Sequence, residues 1–169
     1  QGSLIATGAK DTSVRFWDTL SGVCVRTLPG PLGEVTSVEM SDDGRQLLTS
    51  SKDNSHRLWD MRMLRPLQRF KGHQNTSKNF IRCTFAHPSL IVSGSEDGLV
   101  YMWGQESSLA LQTLKGHGTD SHPAAATVGG RKQVVVYSAA WNKVQGLLAS
   151  CADDGTVRLW DWTPPHDAP

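Results

Sequence analysis

The chain has 169 residues, of which 38% are hydrophobic and 20% charged, a composition typical of a folded globular protein. Seventeen basic and sixteen acidic residues give a net charge of +1, and this balance argues against electrostatic steering to nucleic acid or to an anionic membrane. No apolar run approaches the roughly 18 residues of a membrane span, and the N-terminus lacks the pattern of a signal peptide. We therefore expect an intracellular protein, cytoplasmic or nuclear.

One pattern recurs along the chain: a short apolar run, a polar turn with an Asp, and a Trp six residues after that Asp. Each copy predicts a β-hairpin, because small and β-branched residues flank a turn and the second run ends in an aromatic residue. The Trp-to-Trp steps are 42, 44 and 57 residues, and the first two fit the roughly 40 to 45 residues of a four-stranded propeller blade. In chain order, the Asp and Trp pairs are Asp11 and Trp17, Asp53 and Trp59, Asp97 and Trp103, and Asp154 and Trp160.

Further strands are predicted on both sides of these hairpins. Upstream strands fall at 35–40, 80–85 and 134–141, and downstream strands, each followed by a glycine, at 23–28, 66–70 and 110–114. The Asp-Gly step at Asp43-Gly44 is typical of a tight hairpin turn. Because the first copy begins at its second strand and the last stops after its third, the four copies should hold three, four, four and three strands.

These motifs resemble the WD-repeat family, whose repeats end in Trp-Asp and often open with Gly-His. Trp-Asp stands at Trp17-Asp18, Trp59-Asp60 and Trp160-Asp161, and Gly-His at Gly72-His73 and Gly116-His117. Two copies depart from the pattern, at Trp103-Gly104 and at Gly30-Pro31.

The resemblance implies an all-β fold built from β-propeller blades, which are antiparallel four-stranded sheets. It places repeat 1 at 1–28 (partial), repeat 2 at 29–70, repeat 3 at 71–114 and repeat 4 at 115–162, with an insertion at about 118–133 and a disordered tail at 163–169. Family members usually have seven or eight blades, so we expect a partial propeller whose missing blades come from the rest of a longer chain. A closed four-bladed ring is the alternative.

In this family a His, a hydroxyl, the turn Asp and the Trp form a hydrogen-bonded network within a blade. Carried over by position, the resemblance implies a complete network in the third repeat alone. The fourth repeat has Ala152 at the expected hydroxyl position, and the second lacks the His, so Asp53 should rely on backbone donors or water. The network residues expected are His73, Ser95, Asp97 and Trp103; His117, Asp154 and Trp160; Ser51, Asp53 and Trp59; and Asp11 and Trp17.

Catalytic chemistry is not expected. Ser, His and Asp recur together, but they recur in every repeat, vary between copies and lack a Gly-x-Ser-x-Gly nucleophile motif. No cofactor or metal is predicted, because no phosphate-binding loop or metal-ligand spacing is present. The arginines two residues before Trp should pair locally rather than form a basic stripe. The remaining histidines, expected at the surface, are His56, His87, His122 and His166, and the cysteines, expected to be free thiols, are Cys24, Cys83 and Cys151.

The resemblance also suggests where partners bind. Family members commonly use the rim formed by the turns between second and third strands and by the residues that precede the first strands. The function expected is a scaffold or adaptor that binds proteins or peptides in a multiprotein complex, without nucleic acid or membrane; the alternative is a substrate-recognition module of a ubiquitin ligase or a histone-peptide reader. The candidate face residues are Lys10, Lys52, Glu96, Asp153, Glu34 and Asn79.

Overall fold

The structure is a computed structural model that describes residues 3–28, 33–76, 78–87, 89–118 and 134–161. Within these ranges it is all-β, which confirms the predicted fold class, and none of their residues forms a helix that could span a membrane. The predicted insertion, apart from Gly118, and the predicted tail lie outside the described residues.

Four antiparallel sheets follow one another along the chain with three, four, four and three strands, as predicted. The first sheet has β1 (Leu4–Gly8), β2 (Val14–Asp18) and β3 (Cys24–Leu28); the second has β4 (Val35–Met40), β5 (Gln46–Ser51), β6 (Ser55–Asp60) and β7 (Arg65–Phe70). The third has β8 (Cys83–Phe85), β9 (Leu90–Ser93), β10 (Val100–Gly104) and β11 (Gln112–Leu114); the fourth has β12 (Val136–Asn142), β13 (Leu147–Ala152) and β14 (Val157–Asp161).

Each sheet is a meander in which every strand pairs with the next strand of the chain. The turn between β4 and β5 forms as the Asp-Gly step predicts: Gly44 has a φ of 68° and donates its N–H to the Ser41 carbonyl at 2.9 Å. Residues other than glycine rarely adopt this left-handed backbone conformation. Short turns of this kind fix the register, which decides the face on which each side chain lies.

The sheets stack face to face, and three apolar clusters fill the spaces between them. The face that carries the Trp in one sheet packs on the opposite face of the preceding sheet, so Trp59 joins a cluster with Phe16 of the first sheet. Trp103 lies with Phe70 and Leu58 of the second sheet. Burial of these apolar side chains, at about 25 cal/mol per Å², is the main force that holds neighbouring sheets together.

Neighbouring sheets come into close contact at the position nine residues before Trp, where the first and third sheets have a glycine. A methyl group on Gly94 would lie 2.1 Å from the Val136 carbonyl oxygen, and one on Gly8 would lie 2.3 Å from a Val35 methyl. The second sheet has Ser50 at this position, and its hydroxyl accepts the Cys83 N–H at 3.1 Å. These contacts set each first strand, β4, β8 and β12, against the preceding sheet.

The two end sheets each leave one face uncovered within the described part of the chain. On the fourth sheet, Val157 is 70% exposed and Leu159 is 69% exposed, although their counterparts Val100 and Met102 in the third sheet are buried. The described residues therefore form an arc of stacked blades, consistent with a partial propeller.

Candidate functional site

The turns that carry the Asp of each Asp and Trp pair, together with the residues that precede β4, β8 and β12, form one surface, which we call the turn face. Main-chain hydrogen bonds between neighbouring sheets organise it: Val35 donates to the Ala9 carbonyl at 3.1 Å, and Val136 donates to the Ser95 carbonyl at 3.0 Å. Within a sheet, Lys52 N–H donates to the Glu34 carbonyl at 2.9 Å. Repeated backbone bonds of this kind make the turn face a firm platform for side chains.

Each turn Asp is held by donors from its own hairpin. In the first three sheets the residue two positions before Trp reaches back to the Asp, so the arginines pair locally, as expected. The contacts, each 2.7 Å long, are Arg15 Nη2 to Asp11 Oδ2, Arg57 Nη2 to Asp53 Oδ2, and Tyr101 Oη to Asp97 Oδ2.

Asp53 differs from the prediction, which gave it backbone donors or water. Its Oδ1 accepts the Ser55 hydroxyl at 2.6 Å, and its Oδ2 lies 2.7 Å from Arg57 Nη2 and 3.5 Å from Arg69 Nη2. Burial raises the pKa of Asp53, but the hydrogen bonds from Ser55 and Arg57 outweigh it, so the pKa lies below its usual value. Asp53 is therefore held by three side chains of its own sheet, two of which are arginines.

A complete His, Ser, Asp and Trp network forms in the fourth sheet. His117 Nδ1 lies 3.2 Å from Asp154 Oδ2, His117 Nε2 lies 2.8 Å from Ser150 Oγ, and Trp160 Nε1 donates to that same Oγ at 2.8 Å. Because the carboxylate only accepts, Nδ1 carries a proton, and in the neutral imidazole Nε2 then accepts the Ser150 hydroxyl proton. The prediction that the third repeat alone has the full network is therefore wrong.

The error lies in the position assigned to the hydroxyl. In three of the sheets, the hydroxyl that the indole N–H contacts belongs to the residue ten positions before Trp. Ser51, Ser95 and Ala152 instead stand eight positions before Trp. Ser51 Oγ donates to the Gly33 carbonyl and Ser95 Oγ accepts the Gln74 N–H, each at 2.9 Å. The indole contacts are instead Trp17 Nε1 to Thr7 Oγ1 at 2.8 Å, Trp59 Nε1 to Thr49 Oγ1 at 3.0 Å, and Trp160 Nε1 to Ser150 Oγ.

In the third sheet the expected residues come close together but bond differently. Trp103 Nε1 donates to the Lys71 carbonyl at 3.0 Å, and neither ring nitrogen of His73 has a hydrogen-bond partner among the described residues. The His73 ring instead stacks on His56 of the second sheet, with centroids 3.8 Å apart and planes 11° from parallel. His56, expected at the surface, is completely buried, and its two ring nitrogens also lack described partners.

A single residue of the preceding blade explains the difference. The position three before Trp holds His56 in the second sheet but valine in the others: Val14, Val100 and Val157. In the third sheet, which precedes the sheet of His117, this position is Val100, and the His117 imidazole bonds to its own serine and aspartate, whereas that of His73 stacks on a second imidazole. Burial lowers the pKa of His73 to about 4 and that of His56 well below its usual value.

The basic residues of the predicted face surround one carboxylate. Lys10 Nζ lies 3.7 Å from Glu34 Oε1, and Lys52 Nζ lies 3.6 Å from Glu34 Oε2. The Lys10 side chain is 88% exposed and that of Lys52 16% exposed. Lys52 Nζ also lies 5.1 Å from the ring centroid of Phe80, an exposed aromatic residue that the sequence did not single out.

Two acidic residues of the predicted face, Glu96 and Asp153, turn inward. Glu96 is buried, and its Oε2 accepts the Thr76 N–H at 3.1 Å, while Asp153 Oδ1 accepts the Val135 N–H at 2.9 Å. Asn79 is half-buried beside Phe80 in the chain. Of the four residues that directly precede a turn Asp, Lys10 alone is exposed, and its side chain therefore projects furthest into solvent.

Two other sequence predictions concern metals and thiols. In the described part of the chain, no group of three or more His, Cys, Asp or Glu side chains could hold a metal ion. The three cysteines are free; Cys83 is buried and the other two are half-buried, and burial raises the pKa of Cys83 to about 12.

Comparison with known proteins agrees with this geometry. The sequence profile of the WD domain, G-beta repeat, matches residues 1–18, 22–60, 64–104 and 124–161. The chain therefore belongs to the WD-repeat family, whose members form propeller blades that serve in protein interactions.

Relatives are spread over several kinds of WD-repeat protein. Periodic tryptophan protein 2 of Arabidopsis thaliana is 29% identical over 94% of this chain and 16% of its own length. Nuclear distribution protein PAC1 of Arthroderma otae is 29% identical over 95% of this chain and 36% of its own length. A WD repeat-containing protein WDS homolog of Arabidopsis thaliana is 34% identical over 78% of this chain and 23% of its own length. The chain thus spans only a sixth to about a third of these relatives.

A solved structure shows the same fold. The crystal structure of the computationally designed Ika8 protein superposes with a TM-score of 0.69 at 24% identity, covering 94% of this chain and 43% of that one.

Proposed function

We propose that this chain is a non-catalytic scaffold or adaptor that binds peptides or protein partners through the turn face. It acts inside the cell, in the cytoplasm or nucleus, as part of a multiprotein complex. Further blades of a longer polypeptide would cover its two open end faces. Membership of the WD-repeat family supports this proposal, as do relatives that are several times longer than this chain.

One observation carries the choice of surface. On the turn face the backbone is held by bonds that repeat from sheet to sheet, while long side chains such as Lys10 project from it. A partner can thus bind without a large loss of backbone entropy, because the platform is already ordered.

The fourth-sheet network also supports a non-catalytic role. Ser150, His117 and Asp154 stand in the order of a hydrolase triad, but the His117 and Asp154 side chains are 1% and 5% exposed, and Ser150 is buried. The hydroxyl that would attack a substrate already accepts the Trp160 indole N–H. A nucleophile needs access to its substrate, and the burial of all three side chains denies it, so these residues serve to hold the blade together.

The exposed Phe80 side chain beside Lys52 favours a second candidate function of the same surface. A substrate-recognition module of a ubiquitin ligase, or a histone-peptide reader, would use such an aromatic and basic site to bind one defined peptide rather than several partners. Partner identity separates the two: a scaffold recovers several proteins of one complex, whereas a recognition module recovers a ligase or chromatin proteins.

The test is recovery of partners by affinity purification and mass spectrometry. We expect Lys10→Glu combined with Lys52→Glu to lose partners that the parent chain recovers. The matched control reverses two charges at the opposite ends of the strands, Arg45→Glu with Lys143→Glu, and should retain them. Both variants are first checked for a parent-like melting temperature. Unchanged recovery by the folded Lys10 and Lys52 variant would show that the turn face is not the binding surface.

A further inference from the structure

Three lysines surround a concave part of the turn face of about 600 Å³, lined by Lys10, Gly33, Glu34, Lys52, Thr76 and Lys78. We call Lys10, Lys52 and Lys78 the lysine cradle. Glu34 is the single carboxylate in this lining, so the lining carries a net charge of +2 with its three lysines. The cradle therefore has an excess of positive charge in a chain that is nearly neutral as a whole.

The other carboxylates of the turn face are already paired within the fold. Asp11, which follows Lys10 in the chain, is 50% exposed but is paired with Arg15. Asp53 is bound by Ser55 and two arginines, and Glu96 is buried against the Thr76 N–H. Asp153 is held by the Val135 N–H. Each of these carboxylates is already held by a donor inside the fold, whereas Lys10 is exposed and Lys78 lies on the surface.

The ion pairs to Glu34 leave room for an incoming anion. At 3.6 and 3.7 Å they are longer than the 2.7 to 2.9 Å of a charge-assisted hydrogen bond, and the Lys10 pair is open to solvent. Exposed pairs of this kind contribute roughly 0 to 1 kcal/mol. A partner carboxylate can thus share Lys10 and Lys78 at little cost to the fold.

Phe80 adds an apolar surface beside the charge. Its ring is 60% exposed and lies under the ammonium group of Lys52. Aromatic side chains next to cations commonly anchor peptide partners, because they add contact area with little loss of conformational entropy.

We infer that the lysine cradle binds an acidic segment of a partner protein, with acidic side chains on Lys10 and Lys78 and neighbouring apolar atoms on Phe80. This inference rests on the proposed function, because it names the chemistry of the partner at the same face.

The experiment measures fluorescence anisotropy of labelled peptides with the 169-residue chain. One peptide is an eight-residue alternation of Glu and Ser, and the second replaces each Glu by Gln. We expect the Glu peptide to bind at least about tenfold more tightly than the Gln peptide, and added salt to reduce this difference, because exposed ionic contacts are screened.

Charge-reversed variants locate the binding. Lys10→Glu with Lys78→Glu should weaken the Glu peptide about tenfold, since two favourable contacts become repulsive. The control, Lys71→Glu with Lys115→Glu, changes the net charge equally at two exposed lysines outside the cradle and should stay within about twofold of the parent. If the double variant melts early, Lys78→Glu alone is used.

Three results would overturn the inference. In the first, both double variants lose the same affinity for the Glu peptide. In the second, the chain does not bind the Glu peptide. In the third, it binds an eight-nucleotide single-stranded DNA more tightly than the Glu peptide. If partner recovery depends on the turn face but the Glu peptide does not bind, the proposed function stands and only the acidic partner is rejected.

Discussion

The stacked pair of His56 and His73 should make the fold sensitive to mild acid. Between pH 6.5 and about 4, these histidines are protonated in the unfolded chain but neutral in the folded chain, because burial lowers their pKa. The free energy of unfolding therefore falls as the pH falls through this window. Asp97, Asp53 and Glu96 attract a proton to His73, but not enough to offset burial.

The size of the effect follows from the pKa of His73. Burial shifts the pKa of His73 from 6.5 to about 4. This shift corresponds to a loss of about 3 kcal/mol in the free energy of unfolding once the pH lies below both values. Over the part of the window between pH 7 and pH 5, the expected loss is about 2 kcal/mol. That is a large share of the 5 to 15 kcal/mol that usually stabilises a domain.

The informative variant is His56→Val, which installs the residue found at the three equivalent positions. It removes the stacking partner and leaves the His73 ring free to turn towards Asp97, as His117 faces Asp154. We expect the pH dependence between 7 and 5 to shrink by at least about 1 kcal/mol, because a proton beside a carboxylate is better tolerated.

The assay is urea unfolding followed by tryptophan fluorescence at several pH values from 7.5 to 5. His87→Gln, which changes a half-buried histidine far from the stack, is the control and should reproduce the parent curve. A parent stability that does not change over this range, or a His56→Val curve with the same slope as the parent, would refute the reasoning.

Three further substitutions test the packing and the networks, each by thermal or urea unfolding. Ser150→Ala should cost about 1 to 3 kcal/mol of unfolding free energy, because it removes the hydroxyl that contacts both the Trp160 indole and His117. Ser93→Ala should cost less, because Ser93 donates to carbonyl groups instead. Equal losses would contradict the network. Gly94→Ala should cost about 2 kcal/mol or more, because the added methyl meets the backbone carbonyl of Val136, and a neutral result would mean that the sheets are not in this contact. Tyr101→Phe should cost about 1 to 2 kcal/mol through loss of the bond to Asp97, and parent-like melting would show that Asp97 finds another donor.

The sequence was sufficient for the order and number of strands because each hairpin carries its own local signal. The Asp and Trp spacing marks two strands and a turn, and the predicted strand at 35–40 has the observed bounds. The predicted strand at 80–85 is shorter in the structure, Cys83–Phe85, because Arg82 N–H bonds across to the Tyr137 carbonyl of the fourth sheet rather than within its own sheet.

The hydrogen-bonded networks were less predictable because they depend on contacts that sequence alignment of the repeats does not show. Position ten before Trp could have been found by counting antiparallel pairs across the hairpin, since Trp59 pairs with Leu47 and its indole reaches Thr49 two residues on. His73 does not join the network of its own sheet because it stacks on His56, a residue of another blade, and no pattern within the third repeat reveals this contact.

The role of the turn face in protein binding can be tested most directly by site-specific photocrosslinking. A photoreactive amino acid is placed at Lys78 on the turn face or, as control, at Lys143 at the opposite ends of the strands, and the chain is irradiated in cell extract. We predict crosslinks to discrete partner proteins from position 78 and few or none from position 143. Crosslinks of equal yield and identity from both positions, or from position 143 alone, would contradict binding through the turn face.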